Sequence, residues 1–333
     1  MNHEITMARV IAGYKGAYKV KNSTGEYLAK ITGKQMFEAL SKEDYPAVGD
    51  WVEIVMADKE NAVIQKILPR KTIIKRKSNN KNETQIIATN IDVAFVVESV
   101  DRDFSLNRFE RYFALAENGG VKPAIILNKI DLLSAEGLDQ KITELKNRFP
   151  RLDIIKASAV NNKGLDELKG YISKDKTYCF LGSSGVGKSS LINKLLNQTA
   201  IKTDNISSYS GRGKHVTTAR QMYFLENGGV VIDNPGMREV GLTDVGKGID
   251  TFFDDIAGLA QKCQYADCTH THEPGCEVVG AVKSGTVDKD KYSNYLNLKK
   301  EAEYYEMNDV EKRKKDRQFG KFKKNALKEL ADL

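Results

Sequence analysis

Through residue 70 the apolar positions come in short bursts, at 9–11, 18–20, 27–32, 50–56 and 62–68, broken by turn sequences such as Asn22-Ser23-Thr24-Gly25. Bursts this short, with glycine at the bends, predict the strands of a small β-barrel. From residue 93 the pattern changes: Val93-Ala94-Phe95-Val96-Val97, Ala124-Ile125-Ile126-Leu127 and Thr177-Tyr178-Cys179-Phe180-Leu181 are continuous apolar runs. Runs of this kind mark strands covered on both faces in a parallel sheet. Helices are predicted over 109–116 and over 189–196, where Leu191, Ile192, Leu195 and Leu196 share a face. Further strands are expected at 152–156, 221–224 and 230–232, and the chain beyond 241 reads as mainly helical. The pattern therefore predicts a multidomain α/β protein: a barrel over 1–70, a basic linker over 71–83 containing Lys75-Arg76-Lys77, an α/β domain over 84–240, and a helical domain over 241–333.

The ends of three predicted strands carry chemistry. Gly182-Ser183-Ser184-Gly185-Val186-Gly187-Lys188-Ser189 directly follows the strand at 177–181 and, with Ser190, opens a helix. This is a full P-loop in the right context: backbone N–H groups wrap phosphates, Lys188 reaches the β- and γ-phosphates, and Ser189 holds Mg²⁺. Asn128-Lys129-Ile130-Asp131 ends the strand at 124–127, and a carboxylate there can accept from both N1–H and the 2-amino group of guanine, donors adenine lacks. Ser158-Ala159, after the strand at 152–156, fits the loop that completes such a pocket. After the strand at 230–232 comes Asp233-Asn234-Pro235-Gly236, offering an Asp for the Mg²⁺ shell and a Gly236 N–H for the γ-phosphate. The guanine motif precedes the P-loop, the reverse of ordinary small GTPases, so the domain is expected to be circularly permuted.

Between the P-loop and Asp233 lies 207–220, rich in Ser, Gly, Arg and Thr, which reads as a switch loop. Thr217 and Thr218 are its candidate Mg²⁺ ligands, with Thr218 preferred. No Gln follows the Asp-x-x-Gly element; Met237-Arg238-Glu239 stands there. His215 is therefore the candidate for orienting the attacking water.

Cys263-x4-Cys268-x-His270-x5-Cys276 gathers three of the four cysteines within fourteen residues, with the turn Pro274-Gly275 before the last. Thiolates and an imidazole suit tetrahedral Zn²⁺, and four ligands leave no open position, so the metal is expected to be structural. His272 is a fifth candidate that spacing leaves open. Cys179 reads as a buried filler.

Together these motifs resemble the ribosome small-subunit-dependent GTPase A family, permuted GTPases of small-subunit maturation, over nearly the whole chain. The resemblance implies an OB-fold for the barrel, His215 as the catalytic loop histidine, and Cys263, Cys268, His270 and Cys276 as zinc ligands, leaving His272 out. It also implies binding of GTP and GDP with Mg²⁺, and the small subunit and its rRNA as partners, with hydrolysis triggering release. Val216 and Asn234 depart from the family pattern, where Thr, and Thr or Ser, are usual. Alternative readings are a permuted GTPase of the large subunit and a nucleotide-gated RNA-binding module with negligible turnover.

Composition agrees. A formal net charge of +7 suits a polyanionic partner. Tyr14, Lys15, Tyr18, Lys19, Tyr27 and Trp51 in the barrel, and Lys312-Arg313-Lys314-Lys315, Lys321, Lys323 and Lys324 at the far end, are the candidate RNA contacts. No signal peptide and no membrane-length apolar run are visible, so a cytoplasmic monomer is expected.

Overall fold

The computed structural model describes residues 4–77, 84–101, 104–197, 201, 220–234, 245–308, 310–317 and 320. The chain forms two compact units, 1–241 and 242–333.

In the first unit, β1 (Ile5–Tyr14), β2 (Ala17–Lys21), β3 (Glu26–Ile31), the short helix α1 (Gly33–Glu38), β4 (Trp51–Met56) and β5 (Asn61–Ile67) build the barrel. Strand β2 lies antiparallel between β1 and β3, β5 runs parallel to β3, and β4 pairs antiparallel with both β5 and β1, which closes the ring. Closure is possible because β1 is long and shifts register between Val10 and Ala12, so one strand serves two partners. Alternation then places Ala8, Val10, Val20, Ala29, Val52, Ile54, Ala62 and Ile64 inside. This five-stranded ring is the OB-type barrel expected from the resemblance.

The segment read as a linker begins instead as a strand. β6 (Ile73–Lys77) pairs antiparallel with β7 (Thr84–Thr89). The apolar Ile73-Ile74, overshadowed by the charges after it, supplies the reason: Ile74 is fully buried. The barrel also does not stand apart. Ala12 pairs with Gln221, so the barrel sheet continues into the next one. Arg9, buried on β1, donates to Asn90 O at 3.0 Å and Thr177 Oγ1 at 2.9 Å, which pins the barrel to the neighbouring sheet.

That sheet contains β8 (Val93–Ser99), β9 (Lys122–Asn128), β10 (Ile154–Lys156), β11 (Thr177–Leu181), β12 (Gln221–Phe224) and β13 (Val230–Asp233), with α2 (Leu106–Asn118), α3 (Ala135–Arg148), α4 (Leu165–Tyr171) and α5 (Lys188–Leu195). The spatial order is β10-β9-β8-β11-β13-β12. All pairs are parallel except β12 with β13. From β8 the chain steps outward to β9 and β10, then returns after α4 to the other side of β8. A parallel sheet binds ligands at such a reversal, beyond the carboxyl ends of its strands. Here that point lies between Ser99 and Leu181.

The second unit is helical, as the pattern predicted: α6 (Gly246–Phe252), α7 (Asp254–Ala260), α8 (Glu277–Lys283) and α9 (Lys289–Glu306). Ile249, Phe253, Ile256, Val278, Tyr295 and Leu298 are its buried core. Among the described residues no helix is long and apolar enough to cross a membrane.

Candidate nucleotide site and metal cluster

The loop from Gly182 to Gly187 runs from the end of β11 into α5. Gly182 has φ +143, and a Cβ there would lie 2.3 Å from Val97 O on β8, so only glycine lets the loop sit down on its neighbouring strand. Lys188 opens α5 and is buried; its Nζ donates to Gly182 O at 2.9 Å and Ser183 O at 2.8 Å. Burial pulls its pKa down to about 8, against the favourable charges of Asp233 and Glu98. A bound polyphosphate would therefore meet an ammonium already stripped of water and held across the loop. Ser183 also hydrogen-bonds the buried Tyr112 of α2, a brace the sequence did not reveal.

Ser189 Oγ donates to Asp233 Oδ2 at 2.9 Å. Asp233 is fully buried, and its Oδ1 has no hydrogen-bond partner among the described residues. Burial raises its pKa despite Lys188 and Ser189. A buried carboxylate with a free oxygen beside a serine hydroxyl is a hard, oxygen-only donor set that fits Mg²⁺. Asn234, next in the chain, donates through Nδ2 to Cys179 Sγ at 2.8 Å. Cys179 is wholly buried and its thiol is pushed up to about 12 by that burial, so it is an inert filler.

The two motifs that lie far apart in sequence meet at the mouth of this loop. Asn128, at the end of β9, donates through Nδ2 to Val186 O at 2.7 Å. Gly187, at φ +97, passes so close that a Cβ would lie 2.3 Å from that amide nitrogen. Lys129 adopts a left-handed conformation, φ 59, and pairs with Asp101 at 3.0 Å. Asp131 is exposed, with its Oδ1 accepting from Ser158 Oγ. Ser158 itself is buried and accepts from Val160 N at 3.2 Å, while Ala159 packs on the sheet core. Asp101 was missed because an Asp after a strand is common; its place beyond the carboxyl end of β8 was the available signal. Thr217, Thr218, His215 and Gly236 lie outside the described residues, as do Lys321, Lys323 and Lys324.

In the second unit the donor atoms of Cys263, Cys268, His270 and Cys276 all lie within 4.8 Å of one another. Cys263 Sγ is 3.8 Å from Cys276 Sγ and 3.5 Å from His270 Nδ1, and Cys276 Sγ is 3.7 Å from the same nitrogen. Tetrahedral zinc requires about 3.8 Å between sulfurs and about 3.6 Å between sulfur and nitrogen, from its ordinary bond lengths. The sulfurs are too far apart for a disulfide, and the set fits Zn²⁺. Two backbone features at His270 shape it: the residue is left-handed at φ 59, and Tyr292 Oη donates to His270 O at 2.5 Å. Glu273 gathers the loop by accepting from the N–H groups of Thr269, Thr271 and His272. His272 is outside the donor set; its Nδ1 meets Thr271 Oγ1 at 2.8 Å.

A P-loop on the central strand, an Asn-Lys-x-Asp motif reaching it from a strand earlier in the chain, and an Asp beyond the next strand define a circularly permuted GTPase. The chain belongs to the RsgA GTPase family, whose sequence model matches residues 67–243. It is 40% identical over 316 residues to "Small ribosomal subunit biogenesis GTPase RsgA 2" of Lactiplantibacillus plantarum, covering 94% of this chain and 89% of that protein. Against "Small ribosomal subunit biogenesis GTPase RsgA 1" of Bacteroides thetaiotaomicron the identity is 36%, covering 99% of this chain and 92% of the relative. The fold is similar to the crystal structure of YjeQ from Thermotoga maritima, with TM-score 0.67 and 28% identity over 89% of this chain and 97% of that one. It is also similar to YloQ, described as a circularly permuted GTPase, at TM-score 0.62 and 22% identity over 92% of this chain and 98% of that one.

Proposed function

We propose that this GTPase acts in small-subunit biogenesis by binding the small ribosomal subunit in its GTP form and leaving on hydrolysis. The observation that carries the nucleotide chemistry is the bridge from Asn128 to Val186, which joins the guanine-reading strand end to the phosphate loop. Asp131 reads the guanine edge, with Ser158 fixing its carboxylate. The P-loop N–H groups and Lys188 hold the phosphates; Ser189, Asp233 and Thr218 would hold Mg²⁺, which would supply charge neutralisation for the phosphates. The Gly236 N–H contacts the γ-phosphate, and His215 orients the attacking water. Cys263, Cys268, His270 and Cys276 would hold one structural Zn²⁺, which would tie the loop between α7 and α8. The ribosomal partner rests on the names of the relatives and on the net charge of +7.

The test is phosphate release from GTP with purified small or large subunits. Small subunits should raise turnover tenfold or more, about 1.4 kcal/mol of extra transition-state stabilisation. The substitution His215→Ala should abolish most of that stimulated rate while GTP-dependent subunit binding persists. Equal stimulation by both subunits, or by neither, rules out the small-subunit reading.

A further inference from the structure

Beside the barrel, on its junction with the β6–β7 hairpin, lies a cleft of about 960 Å³. Tyr14 and Tyr18 come to it from β1 and β2, Lys42 and Tyr45 from the segment before β4, Arg76 from β6, and Arg220 from the position preceding β12. No carboxylate is among its described lining residues. Arg220 Nη1 donates to Ile86 O at 2.8 Å, and Arg76 donates to Gln85 Oε1 through Nε and Nη2 at 3.3 Å each. Neither guanidinium forms an ion pair among the described residues. Burial pulls Arg220 down to about 10, and Arg76 beside it acts in the same direction. Two part-buried, mutually repelling guanidiniums with spare N–H donors are costly to keep unless an anion joins them, and forked donors of this kind match phosphate.

We propose that this cleft binds a nucleotide of single-stranded RNA, its phosphate between Arg76 and Arg220 and its base against the tyrosines. The volume exceeds what one nucleotide needs, and aromatic faces beside a cationic wall are how single strands are held without sequence readout. The inference rests on the proposed function only for RNA as the source of the phosphate. Because β12 pairs with both β1 and β13, a phosphate on Arg220 would bridge the barrel and the nucleotide-binding sheet.

The probe is a labelled, unstructured RNA of about ten nucleotides, with anisotropy measured on the full chain across salt concentrations. Arg76→Gln and Arg220→Gln should each weaken binding about fivefold or more and lower the salt slope by about 0.7, the value for one phosphate contact on a single strand. Their melting temperatures should hold or rise, because a repulsion is relieved. Arg76→Lys should keep most of the slope. Unchanged RNA affinity in both glutamine variants overturns the site, as does an affinity loss that tracks a fall in melting temperature in both. Displacement of the RNA by equimolar inorganic pyrophosphate overturns RNA as its ligand. Neither subunits nor GTP enter this measurement, so its failure is distinguishable from failure of the ribosomal reading.

Discussion

Asn128 and Asp131 stand three positions apart and do different work. The Asn128 amide is turned inward and holds the P-loop backbone, whereas the Asp131 carboxylate faces outward with one oxygen fixed by Ser158. The exposed carboxylate fits the base-reading role proposed for it. Replacing that carboxylate by an amide turns an acceptor into a donor, which suits the 2-oxo group of xanthine rather than the 2-amino group of guanine. Asp131→Asn should therefore weaken GTP binding by about 1–3 kcal/mol, roughly five- to 150-fold, and improve binding of xanthosine triphosphate. Calorimetric titration with both nucleotides checks this, and unchanged GTP affinity would remove Asp131 from the site.

The loop between α7 and α8 contains almost no regular structure, so its shape must come from specific bonds. Glu273 supplies several, collecting backbone N–H groups from Thr269, Thr271 and His272. That carboxylate is held well below its ordinary pKa, first by Thr269 Oγ1 and then by backbone N–H groups, its own among them. The result points His270 into the cluster and leaves His272 beside Thr271. Elemental analysis should find one zinc per chain. Cys268→Ala and His270→Ala should lose it while GTP affinity stays within about twofold, since the phosphate loop and the cluster belong to separate compact units. His272→Ala should retain the metal; loss in that variant alone would reassign the ligand.

The barrel is tied to the β6–β7 hairpin through a buried carboxylate. Asp50 is fully buried and takes both forks of Arg70, at 2.8 Å each, while Thr89 Oγ1 donates to its Oδ1 at 2.7 Å. Removing the guanidinium would leave that carboxylate buried without its cation. Arg70→Ala should thus lower stability by about 3–5 kcal/mol. Trp51, the chain's single tryptophan, lies in the barrel with the Arg9 guanidinium 5.3 Å from its ring, so its fluorescence in urea reports the loss. A midpoint that does not move would show that the Asp50–Arg70 pair carries little of the stability.

Sequence alone determined the features that depend on local chemistry. Continuous apolar runs marked β8, β9 and β11, the glycine spacing marked the P-loop, and the order of two motifs revealed the permutation, because each signal lies within a few consecutive residues. The β6 strand was hidden, since Lys75-Arg76-Lys77 reads as a solvated charge run until a partner strand covers Ile74. The pairing of Asn128 with Val186 and of Asp101 with Lys129, and the convergence of Arg76 and Arg220 on one cleft, were equally invisible. Those residues are far apart along the chain, and only the reversal of the sheet and the seating of the barrel against it decide that they meet.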